Sequence, residues 1–114
     1  MGALVHPRDV LSAQRSALAD QAAALRADLD GIAAATAGAN ADDEHDPEGA
    51  TIAFERAQTA ALLDRTEERM AALDRALARV EAGTYGTCSV CGDPIGAERL
   101  DARPDAETCV QCAR

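Results

Sequence analysis

The chain has 114 residues and a net charge of −9, because twenty acidic residues outnumber eleven basic ones, all of them arginine. Alanine supplies most of the 47% hydrophobic content, and one Tyr and one Phe are the only aromatic residues, so the composition favours helices over a thick core. An acidic surface with scattered arginines argues against DNA binding driven by charge alone.

The N-terminal sequence MGALVHPRDVL lacks both the basic start and the apolar length of a signal peptide. No apolar run in the sequence approaches the roughly 20 residues that span a bilayer. We therefore expect a cytoplasmic protein without a membrane segment. In that reducing compartment, paired cysteines hold metal or carry out redox chemistry more often than they form structural disulfides.

The first predicted element is a helix over about residues 7–36, rich in Ala, Leu, Gln and Arg. Pro7 suits the first turn of a helix, where a missing backbone N–H costs nothing. The large apolar residues form one narrow seam at a spacing of seven: Leu11, Leu18, Leu25 and Ile32, with Ala22 and Leu29 beside them.

A second helix is predicted over about residues 51–82. Its apolar residues fall into two neighbouring heptad columns, one of Leu63, Met70 and Leu77 and the other of Leu73 and Val80. Each helix has a seam that is too narrow to be stable when exposed, so each requires a partner helix.

The intervening sequence AGANADDEHDPEGA interrupts both patterns with glycine, proline and acidic residues, and it predicts a turn. Two helices of similar length joined by a short polar loop fold most simply as an antiparallel hairpin, here a rod of about 45 Å. With a midpoint near Asp43, the predicted neighbours are Ile32 with Phe54, Leu25 with Leu62, Leu18 with Met70 and Leu11 with Leu77. The sequence thus predicts an all-α fold, with an antiparallel two-helix coiled-coil hairpin over residues 1–82 and a tip at about 37–50.

The four cysteines all lie in the last part of the chain, as two Cys-x-x-Cys pairs separated by seventeen residues: Cys88, Cys91, Cys109 and Cys112. Two such pairs can supply the four sulfur ligands of a tetrahedral zinc site, at about 2.3 Å from the metal. Four protein ligands leave no open coordination position, so one structural Zn²⁺ is expected in a finger over residues 83–114. Gly92, and similarly Gly86, would allow a positive φ where the loop turns.

Other chemistry uses the same residue types. Two disulfides, a thioredoxin-like redox pair and an iron–sulfur cluster are alternatives to zinc. The redox pair requires a strand before its first cysteine, and nothing strand-like precedes Cys88.

The sequence from Val80 to Cys112 resembles the zinc-finger region of the DksA/TraR family of bacterial transcription regulators. Beyond the cysteines, the shared features are Val80-Glu81, Tyr85-Gly86, Ile95-Gly96, Arg99-Leu100 and Ala102-Arg103-Pro104. The resemblance implies a protein that binds RNA polymerase and not DNA, with its coiled coil inserted into the secondary channel and its acidic tip near the catalytic centre.

The family's tip motif, Asp-x-x-Asp-x-Ala, aligns without gaps with His45, Glu48 and Ala50, and Asp46 lies next to His45. The resemblance therefore makes Asp46, Glu48 and Ala50 the tip candidates. A purely structural role is the alternative, since Asp46 before Pro47 is a good N-cap and Glu48 would complement the helix dipole.

Two other functions use the same features. One is a zinc-finger interaction module with a partner other than polymerase, and the other is a thiol and zinc redox sensor. Arg99 and Arg103 are expected either to contact polymerase or to pair with Asp101 and Asp105. No constellation of a nucleophile and a base appears in the sequence, so we expect a regulator and not an enzyme. We also expect the protein to be a monomer.

Overall fold

The computed structural model describes residues 6–38 and 47–113, with the backbone alone for residues 36–38, 47 and 48. It contains three helices, which are α1 (Pro7–Gly38), α2 (Pro47–Ala82) and α3 (Ala97–Ala102). Within the described ranges, β-pairing is limited to one antiparallel bridge between Thr87 and Pro94. The fold is all-α, as the sequence predicts.

Both long helices begin at a proline. Pro7 starts α1 as predicted, and Pro47 starts α2 four residues before the predicted beginning at Thr51. Proline at the first helical position has its φ already set for the helix, and the N–H that it lacks would have no helical partner there. Residues 37, 38 and 47–50, which the sequence analysis placed in the predicted tip, are helical, and the rest of that tip lies outside the described residues.

One compact unit combines the start of α1, the end of α2 and the finger, spanning Met1–Ala17 and Arg69–Arg114. Its helical part buries Leu11, Leu73 and Ala76 completely. Two ion pairs cross between the helices: Arg8 with Glu81 at 2.7 Å and Arg15 with Asp74 at 2.8 Å. Residue numbers rise on α1 as they fall on α2, so the two helices are antiparallel in this unit.

The second compact unit, Leu18–Glu68, contains the rest of α1 and α2. Ala22 is fully buried here, and Arg26 pairs with Glu67. Thr66, which the apolar pattern does not predict, is also buried, and its hydroxyl donates a hydrogen bond to the Leu62 carbonyl at 2.8 Å. This bond satisfies a polar group that would otherwise be costly to bury.

Two apolar residues of α2 do not lie in the seam where the predicted pairing placed them. Phe54 is 63% exposed and Leu62 is 43% exposed. The seam of α2 in this unit is formed by Ile52, Thr59, Leu63 and Thr66, which are partly or fully buried, and of these Leu63 was predicted in the seam. The spacing of these four residues is heptad-like, but half of them are threonines, so a search for large apolar residues chose the wrong neighbours.

No helix in the described ranges has both the length and the apolar content that a membrane crossing requires.

Candidate metal centre

A tight hairpin holds the first pair of cysteines. The backbone N–H of Cys88 donates to the Asp93 carbonyl at 2.8 Å, and that of Ile95 donates to the Gly86 carbonyl at 2.8 Å. Gly86 and Gly92 have φ of +88° and +79°, the left-handed region that favours glycine. The predicted need for glycine at both positions is confirmed.

The second pair of cysteines forms a helix-like turn that is tied to the first. The N–H groups of Cys112 and Ala113 both donate to the Cys109 carbonyl, at 3.1 and 3.0 Å. The N–H of Ser89, inside the first pair, donates to the Glu107 carbonyl at 2.9 Å, two residues before the second pair. Backbone bonds thus fix the two turns against each other.

All four sulfur atoms converge on one point. The Sγ atoms of Cys88, Cys91, Cys109 and Cys112 lie within 4.8 Å of one another, and those of Cys91 and Cys109 are 3.7 Å apart. A tetrahedral ion with Zn–S bonds of about 2.3 Å requires a sulfur separation of about 3.8 Å. The four thiols are free, and a disulfide would require about 2.05 Å. The arrangement therefore fits a four-sulfur metal site.

The protonation of the thiols depends on their surroundings. Hydrogen bonds from the backbone N–H groups of Cys91 and Cys109 lower the pKa of Cys88 to about 6. Contact with the Cys109 thiol, followed by burial, raises the pKa of Cys112 to about 12. Backbone N–H groups thus favour the thiolate of Cys88, while the neighbouring thiols and burial disfavour that of Cys112. A bound cation is what would allow all four to ionise together.

The apolar packing around the sulfurs is small. Ile95 and Ala106 are buried with Cys88 and Cys109, and Leu100 on α3 packs against them. The six-residue helix α3, which the sequence analysis did not predict, presents Leu100 to this cluster. The finger has no other large buried side chain within the described residues.

Two arginines of α2 bind the segment that precedes the second pair of cysteines. Arg75 Nε and Arg79 Nη1 both donate to Oε1 of Glu107 at 2.9 Å, and Arg79 Nη2 donates to the Ala106 carbonyl at 3.3 Å. The hydrogen bond from Arg75 is the main reason that the pKa of Glu107 lies below its usual range. We call Arg75, Arg79 and Glu107 the arginine clamp.

The arginine clamp was not predicted from the sequence. The i, i+4 spacing of Arg75 and Arg79 was a signal, since it places two cations on one side of a helix. Nothing in the sequence indicated which acid they would meet, because Glu107 is 28 positions beyond Arg79.

Further contacts fix the segment between the cysteine pairs. The Tyr85 hydroxyl donates to the Pro104 carbonyl at 2.8 Å, and Arg99 Nε donates to the Thr108 carbonyl at 2.7 Å. The buried carboxylate of Asp105 lies 3.7 Å from Arg69 Nε. The bond from Arg99 to a backbone carbonyl and the pairing of Asp105 with Arg69 were not predicted from the sequence.

The tip candidates are only partly described. Asp46 and His45 lie outside the described residues, and Glu48 is described by its helical backbone alone. Ala50 is exposed on α2. The roles that the resemblance implies for these residues stay predictions.

Comparison with known proteins agrees with this geometry. The sequence profile of the prokaryotic dksA/traR C4-type zinc finger matches residues 83–114. The structure of transcription factor DksA2 from Pseudomonas aeruginosa is similar, with a TM-score of 0.77 and 28% identity, over 92% of this chain and 75% of that one. Residues 83–114 thus form a finger of the DksA/TraR type.

Two curated members of the family share the finger region and carry the name RNA polymerase-binding transcription factor DksA. The Caulobacter vibrioides protein is 48% identical over 48 residues, which are 42% of this chain and 34% of the relative. The Escherichia coli protein is 39% identical over 49 residues, which are 43% of this chain and 32% of the relative. The matched segment thus spans about a third of the length of these curated relatives.

The geometry of the arginine clamp generates a prediction about coupling. We expect Arg79→Gln and Glu107→Gln to be non-additive by about 1 kcal/mol in a double-mutant cycle of unfolding free energies. A measurable coupling is expected because Arg79 is only 17% exposed. It stays modest because Glu107 is 37% exposed, which allows solvent to screen the pair.

Arg8 and Glu81 form the matched control pair, at 53% and 69% exposure. Their cycle should give less than about 0.5 kcal/mol, as is usual for surface pairs. Equal coupling energies in the two urea-unfolding cycles would contradict a structural role for the clamp.

Proposed function

We propose that Cys88, Cys91, Cys109 and Cys112 hold one zinc ion, and that its role is structural. The convergence of four thiols at tetrahedral spacing, together with the C4-type profile match, supports zinc over the other metals. Bound zinc would supply folding free energy to a segment with little apolar packing. The backbone N–H groups that lower the pKa of Cys88 would help to hold its thiolate against the ion.

Substitution of Cys91 tests this proposal with little disturbance of packing, because Cys91 is exposed. We expect Cys91→Ser to retain much less than one zinc per chain after dialysis against a chelator, while wild type retains one. Helical circular dichroism should largely persist, since α1 and α2 contain most of the helical residues.

The neighbouring residue provides the control. Val90 is 71% exposed, so Val90→Ala should retain zinc as wild type does. Undiminished zinc in Cys91→Ser would overturn the assignment of this ligand.

We propose further that the protein binds RNA polymerase through protein contacts and regulates transcription. The observation that carries this proposal is the likeness to transcription factor DksA2 over 92% of the chain, together with the finger that it shares with polymerase-binding relatives. The resemblance implies entry of the helical hairpin through the secondary channel. A regulator of this kind needs no catalytic constellation, acts in the cytoplasm, and can act as a monomer.

The distribution of charge supports a protein partner over DNA. The unit Leu18–Glu68 contains twelve acids and three arginines, a net charge of −9, whereas the rest of the chain contains eight of each. The net charge of the chain therefore comes entirely from the unit Leu18–Glu68. Such a surface repels phosphates and is attracted to a basic protein surface.

The tip residues generate the test of this function. The double variant Asp46→Asn with Glu48→Gln removes two charges while keeping the shapes of both side chains, and Asn can still cap a helix. We expect binding to host polymerase within a few-fold of wild type but a changed effect on transcription in vitro. The physical reason is that charge near a catalytic metal alters its field without adding much contact area.

Binding and transcription are measured in parallel with wild type and the double variant at saturating protein. Equal transcriptional effects would show that the tip acids act only as caps and solvated groups. Failure of wild type to bind purified host polymerase would remove the polymerase proposal and favour a different protein partner.

A further inference from the structure

One side of α2 is apolar although it does not face α1. Phe54, the only Phe in the chain, has 63% of its surface exposed there. A fixed aromatic side chain in water is unfavourable, and in binding proteins such residues are commonly anchors at an interface. Among the described residues, Phe54 is the largest apolar side chain that is mostly exposed.

Phe54 is part of a second, outer stripe on α2. Ala50, Phe54, Ala57 and Ala61 follow one another at spacings of four, three and four residues, and all four are exposed. This spacing keeps side chains on one side of a helix. At about 100° per residue, this side is directed away from the seam of Ile52, Thr59, Leu63 and Thr66. We call these four exposed residues the outer stripe.

The surface beside the outer stripe is concave. A shallow groove of about 380 Å³ runs along α2 within the same compact unit, lined by Gly49, Ile52, Ala53, Arg56, Ala57 and Ala60. Ala57 belongs to both features. Four of the six lining residues are glycine or alanine, and Ile52 and Arg56 complete the lining. A protruding ring next to such a groove is a shape that a complementary protein surface can contact closely.

Charge decides which occupant fits this surface. The unit that presents the outer stripe has a net charge of −9, so a second copy of the chain docked stripe to stripe would bring two such units together. A partner with basic side chains around an apolar pocket would gain from the same charge. The stripe also begins at Ala50, the tip candidate that keeps the identity of the family motif.

We propose that the outer stripe is a polymerase-docking surface, with Phe54 inserted into an apolar pocket of RNA polymerase that basic side chains surround. This inference rests on the proposed function and extends it from the tip along the outside of α2. Phe54 supplies the contact area, and the small residues around it allow the partner to approach the helix closely.

The test is Phe54→Ala, measured for binding to purified host polymerase. We expect the dissociation constant to rise about tenfold to hundredfold, as for an aromatic anchor. Leu62→Ala is the matched control, because Leu62 is another exposed apolar residue of α2, at 43%, on a different side. It should bind within about threefold of wild type, since most contacts outside a hot spot contribute little.

Two further measurements accompany the binding assay. Both variants should keep the thermal midpoint of wild type, because neither side chain is buried. Raising the salt concentration from about 0.05 to 0.2 M should weaken wild-type binding several-fold, because salt screens the attraction between the acidic unit and the basic side chains of the proposed pocket.

The binding results distinguish failure of the docking surface from failure of polymerase binding itself. Equal binding by wild type and Phe54→Ala would overturn the docking surface and leave polymerase binding intact. No binding by wild type would overturn both. A wild-type dimer that Phe54→Ala converts to a monomer in sedimentation would assign the outer stripe to a second copy and overturn the inference.

Discussion

The convergence of four sulfur atoms within 4.8 Å is the constraint on which the rest of the finger depends. The finger buries few apolar side chains, of which Ile95 is the largest that is fully buried. Four thiolates held this close would repel one another, so a bound cation would favour their joint ionisation. A structural zinc supplies about 10–16 kcal/mol in small peptides. Positive φ at the glycines and the short backbone bonds of both turns then follow from the need to bring the sulfurs together.

Glu107 connects this cluster to the helices. Its carbonyl accepts the N–H of Ser89 in the first cysteine turn, while its carboxylate accepts Arg75 and Arg79 of α2. One residue therefore contacts both the first cysteine turn and a long helix. This explains in physical terms why the finger and the ends of both helices form one compact unit. In the proposed function, the acidic unit with the outer stripe contacts the partner.

The sequence was most informative where one residue type has one strong physical preference. Heptad spacing predicted both long helices, proline marked the start of α1, and the cysteine spacing predicted the cluster. Gly92 was predicted from its need for a positive φ. These features depend on neighbours within a few positions, so a single sequence contains them.

Features that depend on distant partners could not be predicted in this way. The burial of Thr66 was also missed, although its hydroxyl bonds locally to the Leu62 carbonyl, because hydropathy does not reveal that this bond satisfies the polar group. The arginine clamp joins residues 28 and 32 positions apart, and Phe54 is exposed because threonines take the seam positions that large apolar residues were expected to fill. In each case packing in the folded chain determined which side chain is buried, paired or exposed, and the sequence pattern alone did not.

Zinc K-edge X-ray absorption of the purified 114-residue chain, combined with metal analysis, would show directly whether the four sulfurs hold one zinc. We expect one zinc per chain with four sulfur neighbours at about 2.3 Å and no nitrogen or oxygen neighbours. A protein that folds with its finger intact but contains no metal would contradict it. So would a zinc bound by fewer than four sulfurs.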